Sequence, residues 1–130
     1  MNPFVYEICE YLGSKTSFTF GTDVYVGELK RDVDGVYAVE SPSQNPDMYT
    51  ATEYHDVDFY IKYARAVTAF EKAQIVYNLF HRLHHYTTTS FDVYFSYATS
   101  PVADLDREFE NGKLLRLSVR FICRNLNYIS

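Results

Sequence analysis

At 130 residues the chain has the length of one domain, enough to bury roughly two thirds of its unfolded surface, so neither a metal nor a disulfide is required for stability. A net charge of -5 argues against nucleic acid or an anionic membrane as the main partner. The unusual component is aromatic: 13 Tyr and 10 Phe with no Trp, a composition suited to half-buried sheet faces and subunit contacts.

The N-terminus lacks a basic region followed by an apolar run, so no signal peptide is expected. No apolar stretch approaches the ~20 residues that cross a bilayer. The reading is a soluble protein made in a reducing cytoplasm. Cys9, on a helix, and Cys123, at an inward strand position, then serve as small core residues rather than a disulfide.

Asn2 and Pro3 read as an N-cap and first helical residue. Phe4, Ile8 and Leu12 recur at helical spacing, and Gly13 supplies a stop. Asp23–Gly27 and Val36–Glu40 are short strand candidates around a turn carrying Asp32, Asp34 and Gly35. Ser41–Met48, with two prolines, reads as a loop.

A long strand follows, in which Val57, Phe59, Ile61 and Tyr63 alternate with Asp56, Asp58, Tyr60 and Lys62. Thr68 and Glu71 form a capping box that opens a second helix. Its stripe is Phe70, Ala73, Tyr77, Phe80 and His84, widened by Ala69, Val76 and Leu83. Ile75 falls on the solvated side with Glu71, Asn78 and Arg82, which marks it as an interface candidate.

Two more strands alternate in the same way. In one, Phe91, Val93, Phe95 and Tyr97 point inward; in the other, Leu115, Leu117, Val119, Phe121 and Cys123 do. The connection from Thr99 to Gly112 is far longer than an ordinary hairpin loop and carries Asp104, Asp106, Glu108 and Glu110. The expected fold is one α+β domain over residues 1–130. Its elements run α-β-β-β-α-β-β, with two helices packed on a mainly antiparallel sheet of four to five strands.

Three groups of residues carry possible chemistry. His81 and His85, four apart on the second helix, share a face, but a zinc site needs more ligands and the Glu of a metalloprotease motif is missing. They read as a polar helix end, with no metal and no cofactor. The pairs Asp56/Asp58 and Asp104/Asp106 have the spacing for acid–base work or Mg²⁺. No nucleophile or phosphate loop accompanies them, so no catalytic residue is assigned.

Arg116, Arg120 and Arg124 project from the outward face of the last strand, with Tyr54, Tyr60 and Tyr94 on the corresponding faces of the others. Aromatics with Arg on a sheet resemble single-strand RNA readers, but acidity and element order argue against one. The plain alternative is cross-strand pairing of Arg116 or Arg120 with Asp56 or Asp58. A subunit interface explains the Tyr excess best. It comprises Tyr54, Asp56, Asp58, Tyr60, Lys62, Ile75, Tyr94, Arg116, Arg120 and Arg124.

Four stretches resemble phage tail terminators: Glu53 to Lys62, the helix ending Leu79-Phe80-His81-Arg82-Leu83, Phe91 to Ser96, and the closing Leu114 to Asn127. These are the small minor capsid or tail-completion proteins of long-tailed bacteriophages. Val24 to Leu29 looks like the first hairpin of that group. The resemblance implies a non-enzymatic virion protein at the head-proximal end of the tail, assembled in the host cytoplasm. It implies a homo-hexameric ring that caps the tail tube, stops its growth and joins it to head-completion proteins of the neck.

Partners are then further copies of the chain, the major tail tube protein and the neck protein. DNA passes through the lumen without specific binding, and no membrane is involved. Lumens in the family are often acidic, which gives Asp104, Asp106, Glu108 and Glu110 a place facing the lumen or a partner. The rival readings are a head-to-tail connector subunit, often in twelve copies, and a nucleic-acid-binding module.

Overall fold

The computed structural model describes residues 3–27, 33–41, 52–105 and 113–126. Its elements are α1 (Phe4–Lys15), β1 (Val24–Val26), β2 (Gly35–Ser41), β3 (Thr52–Tyr63), α2 (Ala66–Phe80), β4 (Leu83–Thr87), β5 (Phe91–Ala98), β6 (Ala103–Asp104) and β7 (Lys113–Asn125). One sheet runs β1-β2-β3-β7-β5-β4, with the short β6 paired to β7. The described residues therefore form seven strands, more than the four to five expected, and the extra two are β4 and β6.

α1 begins after Pro3 and continues past Gly13, because Thr16 closes the helix instead. The Thr16 N–H and hydroxyl both donate to the Leu12 carbonyl, at 3.1 and 2.6 Å. Asn2 lies outside the described residues. β1 and β2 do not form a hairpin: they pair in parallel, Val24 opposite Val36 and Val26 opposite Ala38. Gly27, at φ 105°, turns the chain at the end of β1, and its N–H donates to Ala38. The remaining pairings are antiparallel.

α2 opens at Ala66, so Thr68 lies inside its first turn and no side chain caps it. The buried stripe is Ala69, Ala73, Val76 and Phe80, while Phe70 is exposed. α2 stops at Phe80, short of the expected His84. His81 leaves helical geometry and Arg82 takes a left-handed conformation, φ 60°. Leu83 and Tyr86 fit the helical spacing but belong to β4, whose pairing with β5 prevails over local propensity.

Both helices cover the same sheet face. Phe80 of α2 stacks on Phe59 at 5.5 Å and meets Phe121 edge-on at 5.3 Å, and Phe4 of α1 meets Phe121 at 5.2 Å. Val36, Phe59, Ile61, Leu115, Leu117 and Val119 complete this core, as their alternation requires.

β5 departs from that alternation. Val93 pairs with Cys123 and Phe95 with Ile122, so Tyr94 is one residue too many on β5. The bulge reverses the phase: Ser96, fully buried, points to the core, while Phe95 and Tyr97 point away from it. Beside it on β4, His85 sits at φ 48°, and Leu83 and Tyr86 face the core on either side of the kink.

Candidate interaction surface

The sheet face away from the helices gathers most of the residues expected at an interface. Along β3 it presents Tyr54, Asp56, Asp58 and Tyr60, and along β7 Arg116, Ser118, Arg120, Ile122 and Arg124. The register sets Asp56 opposite Arg120, Asp58 opposite Ser118 and Tyr60 opposite Arg116.

The polar groups here engage one another. Arg120 donates to both oxygens of Asp56, Nε to Oδ1 at 2.8 Å and Nη2 to Oδ2 at 3.1 Å. The Asp56 carboxylate pushes the guanidinium further into its charged form, outweighing an opposing desolvation effect, and Tyr97 adds a smaller push in the same direction. The Ser118 hydroxyl donates to Asp58 at 2.6 Å, and Arg124 approaches Asp92 of β5 at 3.6 Å. Asp56 and Asp58 are thus held by separate partners on β7 and do not form a carboxylate pair that shares one site. Of the pairings considered from the sequence, Asp56 with Arg120 is the one that forms.

Phe95 and Tyr97, expected in the core, enlarge this face instead. Their rings stack at 5.5 Å, and His84 lies 4.6 Å from Phe95. With His81 and Arg82 they border a hollow of about 350 Å³. Simple alternation carries no sign of this patch, because an inserted residue alters pairing rather than composition. Tyr94, the bulge residue, is half-buried beside His85 at 6.4 Å.

Three candidates are placed elsewhere. Lys62 shares the open face but is 5% exposed, opposite Gly35 and Leu114, so it is an interior lysine of the protomer. Ile75 packs against the core on the helical side, away from Tyr54 and Arg120. Asp104 is exposed on β6 and ion-paired with Lys113. Asp106, Glu108 and Glu110 lie outside the described residues.

The histidines do not share a helical face. His81 follows α2, stacks on Tyr77 at 4.6 Å and accepts the Ala98 N–H at Nδ1, whereas His85 lies on β4. Among the described residues no three His, Cys, Asp or Glu side chains are grouped to hold a metal. Cys9 and Cys123 are free and buried, and burial pushes both thiols up, Cys9 to about 12.

Two helices on one side of a sheet, and an open face carrying aromatic rings and the Asp56–Arg120 pair on the other, define a two-layer α+β protein. The model of a family described as bacteriophage tail terminator protein matches residues 11–126. The chain belongs to that family, and is a structural protein of a phage tail. No curated protein matches it in sequence. Among solved structures it is similar to a chain of the "Virion of native gene transfer agent (GTA) particle", with a TM-score of 0.58 and 16% identity. That alignment covers 89% of this chain and 84% of the other, and it extends the likeness of fold across both layers.

Proposed function

We propose that the protein is the tail terminator of a long-tailed phage, a ring of six copies that caps the tail tube and ends its growth. The observation that carries this reading is family membership over residues 11–126. The open sheet face supports it. Bringing Tyr54, Ile122, Phe95 and Tyr97 against another subunit removes apolar area from water, while Arg120 and Asp56 already neutralise each other.

In this reading the ring sits at the head-proximal end of the tail, assembled in the host cytoplasm. One face meets the last ring of the major tail tube protein, and the other meets a head-completion protein of the neck. DNA passes through the lumen without specific binding. The acidic segment that includes Asp104 faces that channel, where repulsion lets the phosphate backbone slide. Nothing in this role requires catalysis.

Mass photometry and averaged particle images of the protein mixed with purified tail tubes test the proposal. Six copies of 15.2 kDa make a ring of about 91 kDa, seen at one end of each tube with six-fold symmetry. Twelve-fold particles would favour the connector instead, and tubes with bare ends would remove the capping role.

A further inference from the structure

The core-facing side of the β2–β3 pair holds a charged cluster separate from the open face. His55 of β3 lies between two carboxylates: its Nδ1 meets Glu40 Oε1 from β2, and its Nε2 meets Glu53 Oε1 at 2.9 Å. The side chains of His55, Glu40 and Glu53 are 12%, 24% and 11% exposed. Phe4, the first residue of α1, lies flat on the imidazole at 4.3 Å, and Phe91 of β5 meets the ring edge-on at 5.6 Å.

A neutral imidazole has one N–H and can donate to one carboxylate only; the other then faces a lone pair. The imidazolium donates to both. Among the described residues, the groups named around it are otherwise acidic or uncharged. Glu53 Oε2 is buried without a partner, and the Cys123 thiol of β7 feels Glu53, Glu40 and Asp92. From α1, Phe4 makes the contact, and Glu7 one turn on accepts from Thr88 and Ser90 instead. His55 is the one base among these groups.

We propose that His55 is a protonation-controlled latch that holds the first turn of α1 and the end of β2 onto the sheet. Charged, it bridges Glu40 and Glu53 and gives Phe4 a cationic ring to stack on. Deprotonated, it leaves the buried Glu53 and the partly buried Glu40 carboxylates with one donor between them, and the strand end and Phe4 loosen together.

Desolvation alone pushes His55 down, but hydrogen bonds and charge from Glu40 and Glu53 outweigh it and hold the imidazole above its ordinary value of 6.5. A base raised on folding stabilises fully below its unfolded value and loses that contribution as pH rises through the folded one. The latch is closed on the acid side of that window and opens on the alkaline side.

Imidazole NMR of His55 and amide hydrogen exchange of α1, followed together from mildly acidic to alkaline pH, test the latch. His55 should titrate above the ordinary histidine value. Between the two values α1 protection, corrected for base-catalysed exchange, should fall by up to about tenfold per pH unit and then level off. Glu40→Gln should move the His55 transition back toward the ordinary value, and His55→Gln should leave α1 weakly protected with no step. A His55 that titrates at or below the ordinary value overturns the proposal, as does α1 protection that ignores the transition. If His55→Gln fails to fold, the unmodified protein and Glu40→Gln decide the matter.

Discussion

Ser96 donates its hydroxyl to the carbonyl of Phe80 at 2.8 Å, which ties the last residue of α2 to the middle of β5. The same oxygen accepts the Tyr86 hydroxyl at 3.0 Å, so one small side chain joins α2, β4 and β5 inside the core. A helix end leaves carbonyls without internal partners, and a buried one must find a donor elsewhere.

Replacing Ser96 by Ala strands both the Phe80 carbonyl and the Tyr86 hydroxyl at a fully buried site. The expected loss is about 1–3 kcal/mol in urea denaturation. Tyr86→Phe removes one donor and leaves Ser96 bonded to Phe80, so it should cost less. A Ser96→Ala protein as stable as its parent would show that the relay contributes nothing.

The Asp56–Arg120 pair has ideal bidentate geometry, yet about a third of each side chain is exposed. Water and salt screen it, so a double-mutant cycle with Asp56→Asn and Arg120→Met should give a coupling below about 1 kcal/mol, shrinking with added salt. If these residues lie in a subunit contact, the same substitutions should weaken assembly far more than they lower protomer stability. Equal effects on both would place the pair outside the contact.

Gly35, at the start of β2, leaves no room for a side chain against Asp23 and Tyr25. A Cβ there would lie 2.8 Å from the Asp23 carbonyl oxygen and 2.9 Å from the Tyr25 ring. The backbone oxygen cannot swing aside without disturbing the Val36 N–H bond to Asp23. Gly35→Ala should therefore destabilise the protein by about 1–3 kcal/mol, the range for overpacking a filled site. An unchanged thermal midpoint would contradict that packing.

Cys9 and Cys123 should resist alkylation by a thiol reagent at mildly alkaline pH, since burial raises both thiols and the thiolate is the reactive form. Two thiols per chain should appear only on unfolding, with kinetics that follow loss of structure. Prompt labelling of either cysteine in the folded protein would refute its placement in the core.

The two longest strands are legible in the sequence because each alternates an apolar row with Asp, Tyr or Arg over many residues, as in Val57 to Tyr63 and Leu115 to Arg124. The Asp56–Arg120 pairing is legible in kind, since it needs only those rows side by side. β4 is not, because Leu83 and Tyr86, three apart, continue the apolar spacing of α2 and no Gly or Pro marks the break at His81. The outward turn of Phe95 and Tyr97 is hidden for a different reason: pairing with β7 decides it, and β5 alone contains no trace of it. The parallel pairing of β1 with β2 is hidden in the same way, since it depends on how Val24 meets Val36 across the sheet.

The extra residue on β5 makes the outer surface depend on counting as well as on chemistry. Upstream of Tyr94 the odd-numbered side chains are inside; downstream the even-numbered ones are. Pairing the same residues without the bulge, Tyr94 opposite Ile122 and Phe95 opposite Phe121, would send Phe95 and Tyr97 inward and bring Ser96 and Ala98 out. That register would offer its neighbours Ser96 and Ala98 where the bulge now presents Phe95 and Tyr97. Two relatives with nearly the same composition can therefore show the outside world different faces.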